Sequence, residues 1–344
     1  QLKVLLVHCP DSPKAAASVA VNAGHFDDPD HTQGLAHFLE HMLFLGSRAF
    51  PEPSAFGHFL NLHGGQHNAW TGTEFSNFHF DCNANALSRS LEFFASMLKE
   101  PLLSDNWIDK EIQSIESEFR LKQNDELRRL YQVHKVTANP EHPFSQFSVG
   151  NLNTLKNDKH GSLKSKLKAF FNEHYVAQRM RLVIAGPQSL DELTRLAQQY
   201  FSDIKQESGP KELITAPLYL NEQKGVWIKV KPIKVAYRLI LTLPLPSIDE
   251  DYPHKTTSFI AHLLGYEGPG SLFNALRSKG WVNSLSAGGG ISGSNFKDFN
   301  INLQLTSSGR RNASNIVQWI FAYIRKIETD GVIDWRYEER RITT

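Results

Sequence analysis

The chain has 344 residues, with 37 Lys and Arg against 36 Asp and Glu, and 40% of it is hydrophobic, enough apolar material for more than one ordinary core. A formal charge of +1 is too weak a field for a dedicated nucleic-acid binder, and 21% charged with 11% aromatic residues excludes intrinsic disorder. The apolar runs are strand-sized, far short of the roughly 18 residues a membrane span needs, and Cys9 and Cys82 make neither a disulfide framework nor a CxxC-type zinc knuckle. A soluble globular protein is expected, cytoplasmic or periplasmic, with no nucleic-acid or membrane partner. The chain opens at Gln1, which leaves the question of a targeting peptide open.

Residues 3–8 (KVLLVH) and 16–23 (AASVAVNA) read as strands joined by the turn Pro10-Asp11-Ser12-Pro13, predicting an opening hairpin or meander. From Thr32 the period changes. Leu35, Phe38, Leu39, Met42 and Leu43 recur at helical steps, and Gly46-Ser47 stops the run. A short helix over 53–62, strands at 66–72 and 75–82 and a helix over 85–99 follow. Residues 104–136 predict one long charged helix or a pair. Helix 163–175, strand 180–185 and helix 189–203 complete a first module, taken as residues 1–208.

A polar, Pro-containing stretch between Asp203 and Gly225 reads as a linker. The second module, residues 209–344, predicts strands 226–232 and 235–243, helices 254–265 and 271–279, strands 282–288 and 295–306, and helix 311–327. That order repeats the first module, and Ala36-His37-Phe38-Leu39-Glu40-His41 aligns with Ala261-His262-Leu263-Leu264-Gly265-Tyr266. The fold class expected is therefore α+β: two homologous modules, each a mainly antiparallel sheet with helices packed on one face. The second copy stops soon after its third helix, so a continuation of the chain is expected.

His37-Phe38-Leu39-Glu40-His41 carries the sharpest chemistry. On a helix His37 and His41 lie one turn apart on one face, able to grip one metal ion, and Glu40 projects beside them. Neutral imidazole suits Zn²⁺, and a neighbouring carboxylate can take a proton from a metal-activated water. The order H-x-x-E-H is a metalloprotease signature, and a chain of this composition meets it by chance only about 0.03 to 0.05 times. A third ligand must come from elsewhere. Glu111, Glu116 and Glu118 lie on the long charged segment; 111 and 118 share a face while 116 points away, and spacing does not choose between the two.

The stretches GLAHFLEHMLFLGS (34–47), LHGGQHNAWT (62–71), KEIQSIESEF (110–119), HPFSQFSVGN (142–151) and HLLGYEGPGSLFNALRSKGWVNSL (262–285) resemble the pitrilysin and insulin-degrading-enzyme group of zinc metallopeptidases, the inverzincins, over nearly the whole chain. The resemblance implies the insulinase-type metallohydrolase fold, one Zn²⁺ held by His37, His41 and Glu118, Glu111 in support of the site, and Glu40 as base in peptide hydrolysis. It also implies that the strand at Asn68 and Ala69 pairs with extended peptide substrate, with Asn68 as a carbonyl partner. In the second module Gly265 and Tyr266 replace the base and second ligand, which excludes a catalytic zinc there. Family members use that module as an exosite, and the matching positions are Gly265, Glu267 and Leu285, with Glu267 suited to an α-ammonium group. Gly289 stands where relatives can carry a polar side chain.

Full-length relatives close four such modules around the substrate, so the resemblance implies a missing C-terminal half as partner and low activity for this chain alone. The rivals are a non-catalytic structural or chaperone-like homologue and a peptidase that removes targeting peptides. The intact set His37, Glu40, His41 and Glu118 disfavours the first, and the second module's match to the insulin-degrading group disfavours the other. The glycine-rich loop 265–271 lacks the Gly-Lys-Ser/Thr ending of a nucleotide site, the lysines at 156–168 read as a solvated face, and Asn312-Ala313-Ser314 is a sequon too short to carry weight.

Overall fold

Alternation along the chain makes Lys3–His8 (β1) and Lys14–Val21 (β2) strands, and a wide apolar face makes Leu35–Leu43 (α1) the first helix. The computed structural model describes residues 1–206, 211–234 and 236–343, which divide into two units, 1–213 and 214–344. The boundary expected at 208/209 lies outside the described residues. In the first unit α1 is followed by α2 (Ala55–Leu62), β3 (Gln66–Thr71), β4 (Ser76–Asn83), α3 (Leu87–Lys99), α4 (Asp105–Lys122), α5 (Glu126–Thr137), α6 (Leu163–His174), β5 (Met180–Gly186) and α7 (Leu190–Phe201). The charged segment 104–136 is thus a pair of helices. Asp125 breaks it and caps α5, accepting from the Arg128 amide at 2.9 Å.

The five strands order as β1-β5-β2-β4-β3, and only β1 and β5 run parallel. This corrects the opening hairpin: β5 lies between β1 and β2, with Lys3 opposite Arg181 and Val19 opposite Leu182. Pro10 sits in a β-turn closed by the Ser12 amide donating to the Cys9 carbonyl at 3.0 Å, and the Cys9 amide donates to Gly186 at the end of β5 (2.8 Å). Alternation then decides the faces. Ala15, Ala17, Val19 and Val21 on β2, Phe78, Phe80 and Cys82 on β4, and Met180, Leu182 and Ile184 on β5 are buried in one core with Phe38 and Leu39 of α1 and Leu91 and Phe94 of α3. The intervening Ser18, Asn77 and His79 are only half-buried, so the helices pack on one side.

The second unit contains β6 (Arg238–Leu245), α8 (Thr256–Leu264), α9 (Leu272–Ser278), β7 (Val282–Gly293), β8 (Phe296–Leu305), α10 (Ser307–Arg311), α11 (Ala313–Asp330) and α12 (Asp334–Thr343). Its antiparallel sheet, β6-β8-β7, has the pairing of β2-β4-β3, so the repeat read from residue order extends to strand topology. The strand expected at 226–232 does not form. Val226, Trp227 and Ile228 there are 55%, 52% and 50% exposed. A strand needs a ladder as well as β-prone residues; β1, its counterpart, is held by β5, and no equivalent of β5 occurs among the described residues of this unit. The strand expected at 235–243 begins at Arg238, and Val235 lies outside the described residues.

Helix α5 carries a testable acid sensitivity. His134 lies edge-on to Phe144, ring centroids 5.0 Å apart, and burial, with the nearby Lys135 charge, pulls its pKa down from 6.5 to about 4. The unfolded chain therefore binds one more proton between those values, so stability is complete above pH 6.5 and is lost as pH falls toward 4. His134→Phe is expected to spare about 1–2 kcal/mol of the loss between pH 7.5 and pH 5. Urea unfolding of both proteins at the two pH values measures this, and identical pH responses would contradict it.

Candidate metal centre

Helix α1 begins after Gly34, whose φ of +92° is a left-handed conformation that side chains resist. A Cβ at Gly34 would sit 2.3 Å from the Gly150 Cα, so the two glycines allow the chain at 150 to cross the helix start at backbone contact. The buried Asp28 serves the first turn: its Oδ2 accepts from the Gly34 amide and its Oδ1 from the Ala36 amide, both at 2.7 Å. Burial pushes its pKa up to about 8, against the pull of those two amides and of Lys135.

The crossing delivers the Val149 carbonyl to His37, whose Nδ1–H donates to it at 2.6 Å. One turn on, the His41 Nδ1–H donates to Glu111 Oε1 at 2.7 Å. A carbonyl and a carboxylate only accept, so both rings present Nε2 to the same space, and the two Nε2 atoms are 3.3 Å apart. Glu118 Oε2 lies 3.9 Å from each. These three atoms fall within 4.8 Å of one another, and they form the only group of three such donors among the described residues. Glu116 turns away, accepting from Arg120 Nε at 2.6 Å and from the Leu152 amide at 3.1 Å.

Burial, reinforced by the charge of His41, holds His37 below the ordinary histidine range. Burial also opposes a charge on His41, yet the Glu111 hydrogen bond and the charges of Glu111, Glu40 and Glu118 raise its pKa. Glu111 is held low by its bond to His41. For Glu118 burial pulls upward, but the hydrogen bond from Lys122 and the charges of His37, Lys122 and His41 bring it below the usual carboxylate value. A cation held by these atoms would need both Nε2 atoms unprotonated, so its uptake would compete with protons there. Two imidazole nitrogens and one carboxylate oxygen are a donor set that zinc takes where a fourth position stays open. The hydrogen bonds behind both Nδ1 atoms are those that orient metal-binding histidines. A zinc ion fits these residues.

Glu40 accepts a hydrogen bond from Thr71 Oγ1 at 2.5 Å. Thr71 ends β3, the outer strand of the sheet, on which Asn68 is exposed and Ala69 packs against the core. Asn68 pairs with His79 of β4, and its Oδ1 accepts from the Ala69 amide at 3.0 Å. In the second unit Gly265 caps the end of α8, Glu267 is exposed, and the Leu285 side chain is buried in that unit's own core. The Tyr266 phenol packs against Gly268, where a Cβ would lie 2.3 Å from the hydroxyl. His262 thus has no second histidine, and its near charged neighbour is Glu339 at 3.8 Å.

Sequence reasoning missed Asp28, Thr71, Lys122 and the Val149 carbonyl as supports of the site. Lys122, four residues beyond Glu118 on the same helix, was recognisable from spacing. A backbone carbonyl has no residue signature, Asp28 lies outside the quoted motif stretches, and Thr71, though it ends the stretch 62–71, carries no spacing that ties it to Glu40.

Residues 3–144 match the family model described as Insulinase (Peptidase family M16), and residues 163–343 match the one described as Peptidase M16 inactive domain. The chain is 35% identical over 341 residues to the insulin-degrading enzyme of Homo sapiens, covering 98% of this chain and 34% of that protein. It is 34% identical over 342 residues to the A-factor-processing enzyme of Saccharomyces cerevisiae, covering 98% and 33%. The crystal structure of pitrilysin superposes with a TM-score of 0.91 at 31% identity, over 98% of this chain and 36% of that one. A protease from Helicobacter pylori shares the fold at a TM-score of 0.80 and 19% identity, over 99% and 81%. The chain spans about a third of the length of these curated relatives. With both of its units accounted for by these matches, the chain belongs to the insulinase family of peptidases.

Proposed function

We propose that this chain supplies the zinc centre of an endopeptidase that acts on extended peptides. The carrying observation is the convergence of His37 Nε2, His41 Nε2 and Glu118 Oε2, with Glu40 on the same helix. Those three atoms would hold the ion, and zinc, when bound, supplies Lewis acidity toward a water and toward the scissile carbonyl. Glu40 would accept a proton from the attacking water and pass it to the leaving amine, while Thr71 holds one of its oxygens in place. Glu111 keeps the His41 ring in its productive tautomer. The outer edge of β3 at Asn68 and Ala69 adds a substrate strand, and main-chain pairing of that kind asks little of substrate sequence. In the second unit the exposed Glu267 beside Gly265 is the acceptor for a peptide α-ammonium group; Leu285 contributes through the backbone of β7, since its side chain is buried.

A non-catalytic homologue would tolerate loss of any of these groups, and His37, Glu40, His41 and Glu118 are all present. Because the relatives are about three times longer, we assign part of the substrate site to the C-terminal half that they possess, and the chain alone is expected to turn over slowly. Metal analysis of protein purified without added zinc is expected to find about one zinc per chain, and almost none in His41→Ala. Glu40→Gln should keep the zinc and abolish cleavage of a fluorogenic peptide. A metal-free wild-type chain that takes up no added zinc would overturn the reading; fast turnover by the chain alone would overturn only the need for the second half.

A further inference from the structure

The most buried cation of the first unit has no part in the chemistry above. Lys135, on α5, is 0% exposed, and its ammonium donates to His25 Nε2 at 3.0 Å, to the Phe144 carbonyl at 3.0 Å and to the Gln146 carbonyl at 2.9 Å. Three donors thus meet three acceptors, because His25 spends its Nδ1–H on the Gly72 carbonyl (2.8 Å) and keeps a lone pair on Nε2. The Nζ also lies over the rings of Phe144 and Tyr131, 4.7 and 5.1 Å from their centroids. Burial lowers its pKa to about 7, with the charge of Asp28 acting the other way.

What these acceptors belong to gives the lysine its meaning. Gln146 lies three residues before Val149, whose carbonyl orients His37. His25 lies three residues before Asp28, which holds the first amides of α1. Gly72, bonded to the same imidazole, follows Thr71, which holds Glu40. Two separate backbone segments that support the centre, 25–28 and 144–149, are therefore gathered on one side chain that touches none of its ligands, and a third, 71–73, joins them through His25.

We propose that Lys135 is a positioning residue for the metal centre, acting at a distance by locking the 25–28, 71–73 and 144–149 segments whose groups orient His37, Glu40 and the start of α1. This rests on the zinc reading given above. Replacing it with methionine keeps the bulk but strands two carbonyls and an imidazole nitrogen without their donor. The probe is Co²⁺ added to the metal-free full chain, followed by its visible absorption and by chelator competition. Lys135→Met is expected to weaken cobalt binding about 10- to 100-fold, the range for loss of groups that orient metal ligands, and to shift the visible bands. Leu193→Ala, a core truncation on α7, serves as the control for lost stability: it should lower the melting temperature and leave affinity and bands unchanged. Should Lys135→Met not fold, His25→Phe removes one acceptor of the same hub and is expected to weaken binding by a smaller factor, about 5-fold or more. Wild-type affinity and spectrum in the folded variant would overturn the proposal, as would an equal affinity loss in Leu193→Ala. A wild-type chain that binds no cobalt would instead overturn the metal reading on which it stands.

Discussion

Glu118→Ala is expected to lower zinc affinity by about 100- to 1,000-fold, while Glu116→Ala, two residues away on the same helix, should change it by no more than about 2-fold. The first figure follows from removing one of three protein ligands, about 3–4 kcal/mol out of the roughly 10–16 kcal/mol apparent for structural zinc sites. The second follows from geometry, since Glu116 is engaged with Arg120 and the Leu152 amide on another side of α4. Glu111→Gln should fall between them, at about 10- to 100-fold, because Glu111 touches the far nitrogen of His41. Chelator competition on the three variants reads this order directly. Equal losses for Glu116 and Glu118 would mean that a general acidic field, and not a ligand, attracts the ion.

Gly34→Ala is expected to cost about 2–4 kcal/mol. About 1 kcal/mol is the strain of a side chain at φ +92°, and overlap with the Gly150 backbone adds about 1–3 kcal/mol, since neither partner is a yielding side-chain end. For a unit of this size the melting temperature should drop by about 4–16 °C. Zinc affinity should fall with it, because the segment forced away carries the carbonyl that orients His37. Gly64→Ala separates the two contributions: its φ is +64°, but the nearest contact is the amide end of Asn83 at 3.0 Å, so only the strain of about 1 kcal/mol is expected. A Gly34→Ala protein that melts with Gly64→Ala would show that the backbone crossing is looser than described. Calorimetry on the metal-free and zinc-loaded forms makes both measurements.

Local periodicity made α1 and its histidine pair legible, because helical spacing alone brings His37 and His41 to one face. It also placed Glu111 and Glu118 together, yet could not part them, since the difference is that one meets Nδ1 and the other faces Nε2. Strand identity was legible where alternation and pairing agree, as in β2 and β4. It failed at 226–232, where β-prone residues find no ladder, and at the opening hairpin, where a strand from residue 180 onward intervenes. Both failures concern partners far off in sequence. Lys135 was hidden for a different reason: in a charged helix a lysine reads as solvated, and only the His25 ring, brought from 110 residues away, together with the Phe144 and Gln146 carbonyls of the following loop shows why it is interior.

The intervening strand also orders events in time. With Lys3 paired to Arg181, β1 has no docking site on β5 until nearly the whole first unit has been synthesised. Its ladder closes a very long loop, the kind of contact that makes folding slow and leaves an early intermediate with an open, sticky edge. Chaperone demand during biosynthesis should therefore peak before residue 186 emerges and decline once β5 has slotted home.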